Sequence, residues 1–151
     1  MRRREIVSIV VTLVVGLGMA AGQDSSPPRR YGLFLNLRLY PQSSPRETLA
    51  SVVAAFDRGR IDYALAQLTE PAFVDDRVAR VYRGDFDELV GEASLKVAED
   101  PSDTLLLARF LKEGDWQENE TTASCRLRDV RDRQVFLRKV GARWYLENRQ
   151  K

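Results

Sequence analysis

Over residues 122–151 apolar and polar side chains alternate through three short runs, each broken by turn residues. A period of two sets one face of each run against a core and the other toward water, so this stretch predicts a meander of antiparallel strands. In the first run Ala123, Cys125 and Leu127 share the apolar phase, against Ser124, Arg126 and Arg128. Val130 to Arg133 read as a polar turn and Gln134 to Val140 as the next strand. Gly141-Ala142 reads as a tight hairpin and Arg143 to Asn148 as the last strand, with Trp144 and Leu146 inward and Tyr145 outward. One more strand is expected ahead of them, from Asp115 to Glu118.

Upstream the apolar period lengthens to that of helices. Ser44-Pro45-Arg46-Glu47 is a capping box with proline at the first helical position, so a helix starts there. Leu49, Val52, Val53 and Phe56 give it one core face, and Gly59 supplies a left-handed stop. A short helix follows over about 60–68, burying Ile61, Leu65 and Leu68, with Pro71 ending it and a polar loop after it. Asp85 caps the next helix, whose Phe86, Leu89, Val90, Ala93 and Val97 share a face. Asp100-Pro101-Ser102-Asp103 opens another that carries Leu105, Leu106, Phe110 and Leu111 to Gly114. Helices first and an antiparallel sheet last define an α+β fold. Tyr31 to Tyr40, with Leu33, Leu35, Leu37 and Leu39 on one phase, predicts a strand or extended arm, laid on its own domain or offered to a partner.

The amino end has a different character. Arg2, Arg3 and Arg4 precede an apolar run from Ile6 to Ala21, and Ala20 and Gly22 offer small residues for cleavage. This is the layout of a signal peptide over residues 1–22, or of a short membrane anchor if it is retained. Residues 23–40 then form a tether and arm, and 41–151 a single domain. The expected location is extracytoplasmic, periplasmic or secreted, with membrane contact only where the leader stays attached. Losing Arg2, Arg3, Arg4 and Glu5 from 24 basic and 22 acidic residues leaves 21 of each. A neutral chain with no basic block argues against nucleic acid as a partner. Cys125 is the single cysteine, which rules out an internal disulfide and suits a buried structural thiol.

The segments "SPRETLASVVAAFDRGRIDYALAQLTEPAF" and "TTASCRLRDVRDRQVFLRKVGARWYLENRQK" resemble the nuclear transport factor 2-like (cystatin-like α+β) superfamily, and more closely its secreted members from planctomycete-type bacteria. The resemblance covers about 41–151 and is most specific at "VFLRKVGARWYLEN". It implies a curved antiparallel sheet wrapped around helices as a cone, often dimeric through the sheet. It implies no single function, because that fold hosts isomerases, dehydratases, hydrolases, transport adaptors and inert accessory domains. The larger helical middle, Asp85 to Gly114, departs from the family pattern and is placed to fill the mouth of the cone.

Enzymes of that superfamily commonly rely on a histidine–aspartate pair or an aspartate opposed by tyrosine, whereas this chain has no histidine. That removes the usual general base near neutral pH and the imidazole-assisted nucleophiles. Asp57, Asp62 and Tyr63 remain as weak candidates for an isomerase-like acid/base set; the plainer reading puts Asp62 at a helix start and Tyr63 in packing. Asp75-Asp76 and Asp85-Phe86-Asp87-Glu88 lack the ligand alternation of a calcium loop, so no metal or cofactor is expected. Trp116, Trp144 and Tyr145 do not share one strand face, which argues against an aromatic platform. Arg126, Arg128, Arg133 and Arg138, interleaved with Asp129, Asp132 and Glu147, suit a solvated ion-pair surface or a homodimer through the sheet. The expected function is an exported, non-catalytic binding or interaction domain for an unidentified protein or small ligand. The alternative is a histidine-free lyase or isomerase using a carboxylate inside the cone.

Overall fold

A computed structural model describes residues 28–149; the expected leader, 1–22, and the tether to residue 27 lie outside the described residues. Two short strands, β1 (Arg29–Arg30) and β2 (Leu33–Phe34), pair antiparallel about Tyr31-Gly32. Both turn residues have positive φ, 47° and 82°, the backbone twist that a two-residue hairpin needs. Residues 37–39 then turn instead of extending, so the arm expected over 31–40 is a hairpin and a loop. Leu37 and Leu39 point to solvent, because nothing pairs with that stretch to bury its apolar phase.

Helix α1 (Pro45–Asp57) begins where the capping box places it. Ser44 Oγ accepts from the Glu47 amide at 3.2 Å, and the Glu47 carboxylate reaches back to the amide of Ser43 at 3.2 Å. Gly59, at φ 66°, lets the chain leave the helix, with the Arg60 amide donating to Ala55 O at 2.8 Å. Helix α2 (Ile61–Tyr63) runs on into a π turn, Ala64–Leu68. Thr69 closes that turn, its amide and hydroxyl both donating to Ala64 O at 2.9 and 3.0 Å.

Pro71 starts a helix where the sequence reading had it end one: α3 spans Pro71–Arg80 with the proline in its first turn. A missing N–H costs nothing there. Val74 and Val78, one turn apart, are the buried side of α3, and the intervening Asp75, Asp76 and Arg77 gave this stretch the look of a polar loop. Helix α4 (Phe86–Glu99) is capped by Asp85 Oδ1, which accepts from the Glu88 amide at 3.0 Å. Helix α5 (Ser102–Glu113) follows Asp100, whose carboxylate accepts from the Ser102 amide at 3.0 Å.

Strands β3 (Asp115–Glu118), β4 (Thr122–Leu127), β5 (Val130–Val140) and β6 (Arg143–Glu147) lie side by side in sequence order, each antiparallel to the next. The stretch Val130 to Arg133 is strand, not turn. The chain reverses at Arg128-Asp129 through a register shift at Arg126/Leu127. The outer edge of β6 carries a parallel bridge between Leu146 and Thr69, with the Glu70 amide donating to Leu146 O at 2.9 Å.

One face of the sheet meets α1 and α5. Leu49 and Phe110 pack there with Ala123, Cys125, Leu127, Val135, Leu137 and Trp144. Tyr40, Val52, Ala55, Tyr63 and Leu68 form a second cluster, while Ala66, Val74, Val78, Tyr82, Phe86 and Leu89 form a third among α3, α4 and the π turn. Among the described residues no helix is long and apolar enough to cross a membrane.

Candidate functional site

A half-open cavity of about 730 Å³ lies between the helices and the carboxyl-terminal half of the sheet. Phe56 from the end of α1, Leu65 from the π turn, Phe73 from α3 and Leu106, Leu107 and Phe110 from α5 give it apolar walls, closed by Val135, Phe136 and Leu146 of the sheet. Its size falls in the range of small-molecule sites. The π turn matters here: Ala64, Ala66, Gln67 and Leu68 are buried, while Leu65 stays half-buried on the cavity wall. An extra residue per turn commonly aims a side chain this way at functional positions.

Charged groups gather at one end of the cavity. Arg133 on β5 binds Asp103 in the first turn of α5 at 2.5 Å, both of them exposed at the rim. Glu147 lies deeper, its side chain 7 % exposed, and accepts from Arg138 Nη2 at 2.7 Å. Arg149 Nε sits 3.0 Å from Glu147 Oε2 but off the line of a hydrogen bond, so that oxygen has no aligned donor among the described residues. The Arg149 guanidinium also covers the Phe136 ring, 4.3 Å from its centroid. Arg138 has a second, longer pairing with Glu70 at 3.7 Å.

Asp57, Asp62 and Tyr63 do not line this cavity. Asp57 is exposed at the end of α1. Asp62 accepts two hydrogen bonds from Arg60, at 2.9 and 3.1 Å, and these hold its carboxyl below the usual carboxylate range. Tyr63 is buried, its hydroxyl accepting from the Asn36 amide at 3.0 Å, and burial pushes its pKa up. Asp62 and Tyr63 therefore hold structure together at the start of α2, and none of the three residues lines the cavity.

The aromatic residues are likewise spread apart. Trp144 is in the core, Arg46 covers Trp116 at 5.3 Å, and Tyr145 is buried under Arg143 at 5.2 Å. Tyr145, outward by strand alternation, is nonetheless buried, with Arg143 over its ring and only 3 % of it exposed. The sheet-face arginines find partners within the chain. Arg128 pairs with Asp115 at 3.3 Å, Arg133 with Asp103, and Arg138 with Glu147, while Arg126 bonds Gln134 at 3.0 Å. Among the described residues no group of three or more histidine, cysteine or acidic side chains is close enough to hold a metal ion.

Phe56 and Leu106 were legible as helix-face residues, but nothing in the sequence assigned them to a cavity. Phe73 was hidden by the missed helix α3. The class of protein defined here is thus an α+β domain with a half-open apolar cavity between its helices and its sheet. Compared with models of known protein families, with curated proteins and with solved structures, the chain finds no match.

Proposed function

We propose that this chain is an exported, non-catalytic binding domain of the nuclear transport factor 2-like kind, which holds an apolar small molecule in the cavity between helices and sheet. The observation that carries the reading is the cavity of about 730 Å³ with walls of leucine, phenylalanine and valine. Burial of apolar ligand surface in such a site supplies the binding energy, and few polar groups are needed beyond those that fix orientation. The absence of histidine supports binding over catalysis. The intramolecular pairing of Arg128, Arg133 and Arg138 supports a solvated outer sheet face and leaves less charge for a homodimer through the sheet.

The competing reading, a histidine-free lyase or isomerase, is favoured only by Glu147, the one deeply placed carboxylate on the cavity wall. Arg138 at 2.7 Å and Arg149 at 3.0 Å already occupy that carboxylate, so it is engaged within the chain and not presented to a substrate.

A neutral apolar fluorophore such as Nile red tests the proposal directly. The wild-type chain is expected to bind it with a blue shift, and Leu65→Trp, which places an indole in the cavity, to weaken binding by about tenfold or more. Equal binding by the variant, or none by the wild type, overturns the reading.

A further inference from the structure

Half of the large apolar side chains exposed to solvent fall within one short stretch: Tyr31, Phe34, Leu37 and Leu39, against Val81, Leu95, Leu105 and Val140 elsewhere among the described residues. Phe34 is 53 % exposed, and Leu37 and Leu39 46 % each. Five residues at most separate these three, so the chain itself keeps them within about 18 Å of one another. Tyr31 is held against the body of the protein by stacking on Phe86 at 4.1 Å, which fixes the hairpin that presents Phe34.

The charges in this stretch have one sign. From Ser25 to Arg46 the sequence has four arginines and no acidic residue. Arg30 is committed to Asp75 at 2.6 Å, but Arg29, Arg38 and Arg58 have no carboxylate partner among the described residues. Arg29 lies over the Phe34 ring at 5.2 Å and Arg58 over Tyr40 at 5.6 Å, while Arg38 stands between Leu37 and Leu39 in sequence. By contrast, the arginines of the outer sheet face and of α5 largely spend their charge on acids of the same chain.

We propose that this arm is a docking patch for the surface of an anionic lipid bilayer, with Phe34, Leu37 and Leu39 entering the interface and Arg29, Arg38 and Arg58 meeting the headgroups. Exposed apolar side chains flanked by unpaired arginines are the chemistry that an anionic interface rewards, each half adding to the other. The position in the chain agrees. Pro28 follows Gly22 by six residues, so the patch begins within about 20 Å of the end of the apolar run 6–21. The patch lies outside the cavity lining, so it does not depend on what the cavity holds.

The experiment places an environment-sensitive fluorophore on Leu37→Cys in the full chain, Cys125 being buried and out of reach of the label. A second sample carries it on Leu105→Cys, an exposed leucine outside the patch. Vesicles of phosphatidylglycerol with phosphatidylcholine are expected to shift the probe at 37 to the blue and leave the probe at 105 unchanged. Phosphatidylcholine alone should give little shift, and salt should weaken it. Arg29→Ala, Arg38→Ala and Arg58→Ala should each lower the ratio of docked to undocked arm about fivefold. The proposal is overturned by no shift at 37, by equal shifts at both positions, or by a shift without vesicles that grows with protein concentration. That last outcome would assign the patch to a second copy of the chain.

Discussion

Gln42 and Trp144 are tied by a reciprocal pair of hydrogen bonds: the Trp144 amide donates to Gln42 O at 3.0 Å, and Gln42 Nε2 donates to Trp144 O at 2.8 Å. The same Nε2 donates to Gln67 O at 3.0 Å, so one fully buried amide joins the strand edge of β6 to the π turn. Gln67 in turn donates to Leu33 O at 2.9 Å and anchors the hairpin. Gln42→Ala leaves two buried carbonyls without this donor. At about 1–3 kcal/mol for each unsatisfied buried group, with Thr48 Oγ1 still donating to Trp144 O at 3.4 Å, the expected loss of stability lies in the lower part of about 2–6 kcal/mol, measured by urea unfolding. Gln42→Glu should be at least as damaging, since it turns the donor into a charge facing two carbonyls. A loss below about 0.5 kcal/mol for either variant would show that the carbonyls find other donors.

Gly114 ends α5 in ordinary extended backbone, so its glycine is required by space and not by φ. A Cβ there would stand 2.0 Å from Cys125 Sγ and 2.4 Å from Phe110 O. Gly114→Ala is therefore expected to cost about 3 kcal/mol through overpacking. Removing the sulfur with Cys125→Ala should recover only part of this, because the Phe110 carbonyl is backbone and stays in place. A double-mutant cycle measures the coupling. Full recovery would mean that helix α5 shifts easily at its end.

Much of the fold was written in local signals. The Ser44 cap, the Gly59 stop, the Asp85 cap and the alternation of β4 each depend on residues near in sequence, and each stands where the sequence puts it. Helix α3 was not legible, because its core face is only Val74 and Val78 with Phe73 at the side, and Pro71 reads equally well as a stop or a start. Tyr145 follows strand alternation onto the outer face, but alternation alone does not reveal that Arg143 covers that side chain there. The cavity was least legible of all. It needs Leu65 displaced by a π turn, Phe73 from an unrecognised helix and Leu146 from a strand, none of them near one another in sequence.

Burial pushes the Cys125 thiol up to about 11 from an ordinary value of 9.0. Its Sγ donates to Phe110 O at 3.4 Å, which also favours the protonated form. The folded state thus keeps a proton that the unfolded state gives up. Stability is full below pH 9.0, falls as pH rises from there and levels off near about 11. The expected fall is about 3 kcal/mol, superimposed on that from the buried tyrosines above pH 10. Cys125→Ala should flatten the curve between pH 9 and 10, before the tyrosines contribute. The native thiol should also resist a thiol reagent at pH 8, reacting only as fast as the protein unfolds. Rapid labelling under native conditions would contradict the buried placement.

Two carboxylates in this protein pair with arginine in different surroundings, and the contrast separates burial from charge pairing alone. Asp129 meets Arg109 through both oxygens, at 3.0 and 2.9 Å, with its side chain 62 % exposed. Glu147 meets Arg138 at 2.7 Å with only 7 % exposed, on the wall of the cavity. Water can replace Arg109 around Asp129, so Asp129→Asn should leave the urea midpoint within error. Little water reaches Glu147, and Glu147→Gln removes the shielded charge that Arg138 and Arg149, each about half exposed, both meet, which should lower the midpoint more than Asp129→Asn does. If the cavity binds an apolar molecule as proposed, saturating Nile red should partly restore stability in Glu147→Gln by binding the folded state alone. Equal midpoints for the two variants would mean that Glu147 is as well hydrated as Asp129, and would remove the one buried charge on which the competing catalytic reading depends.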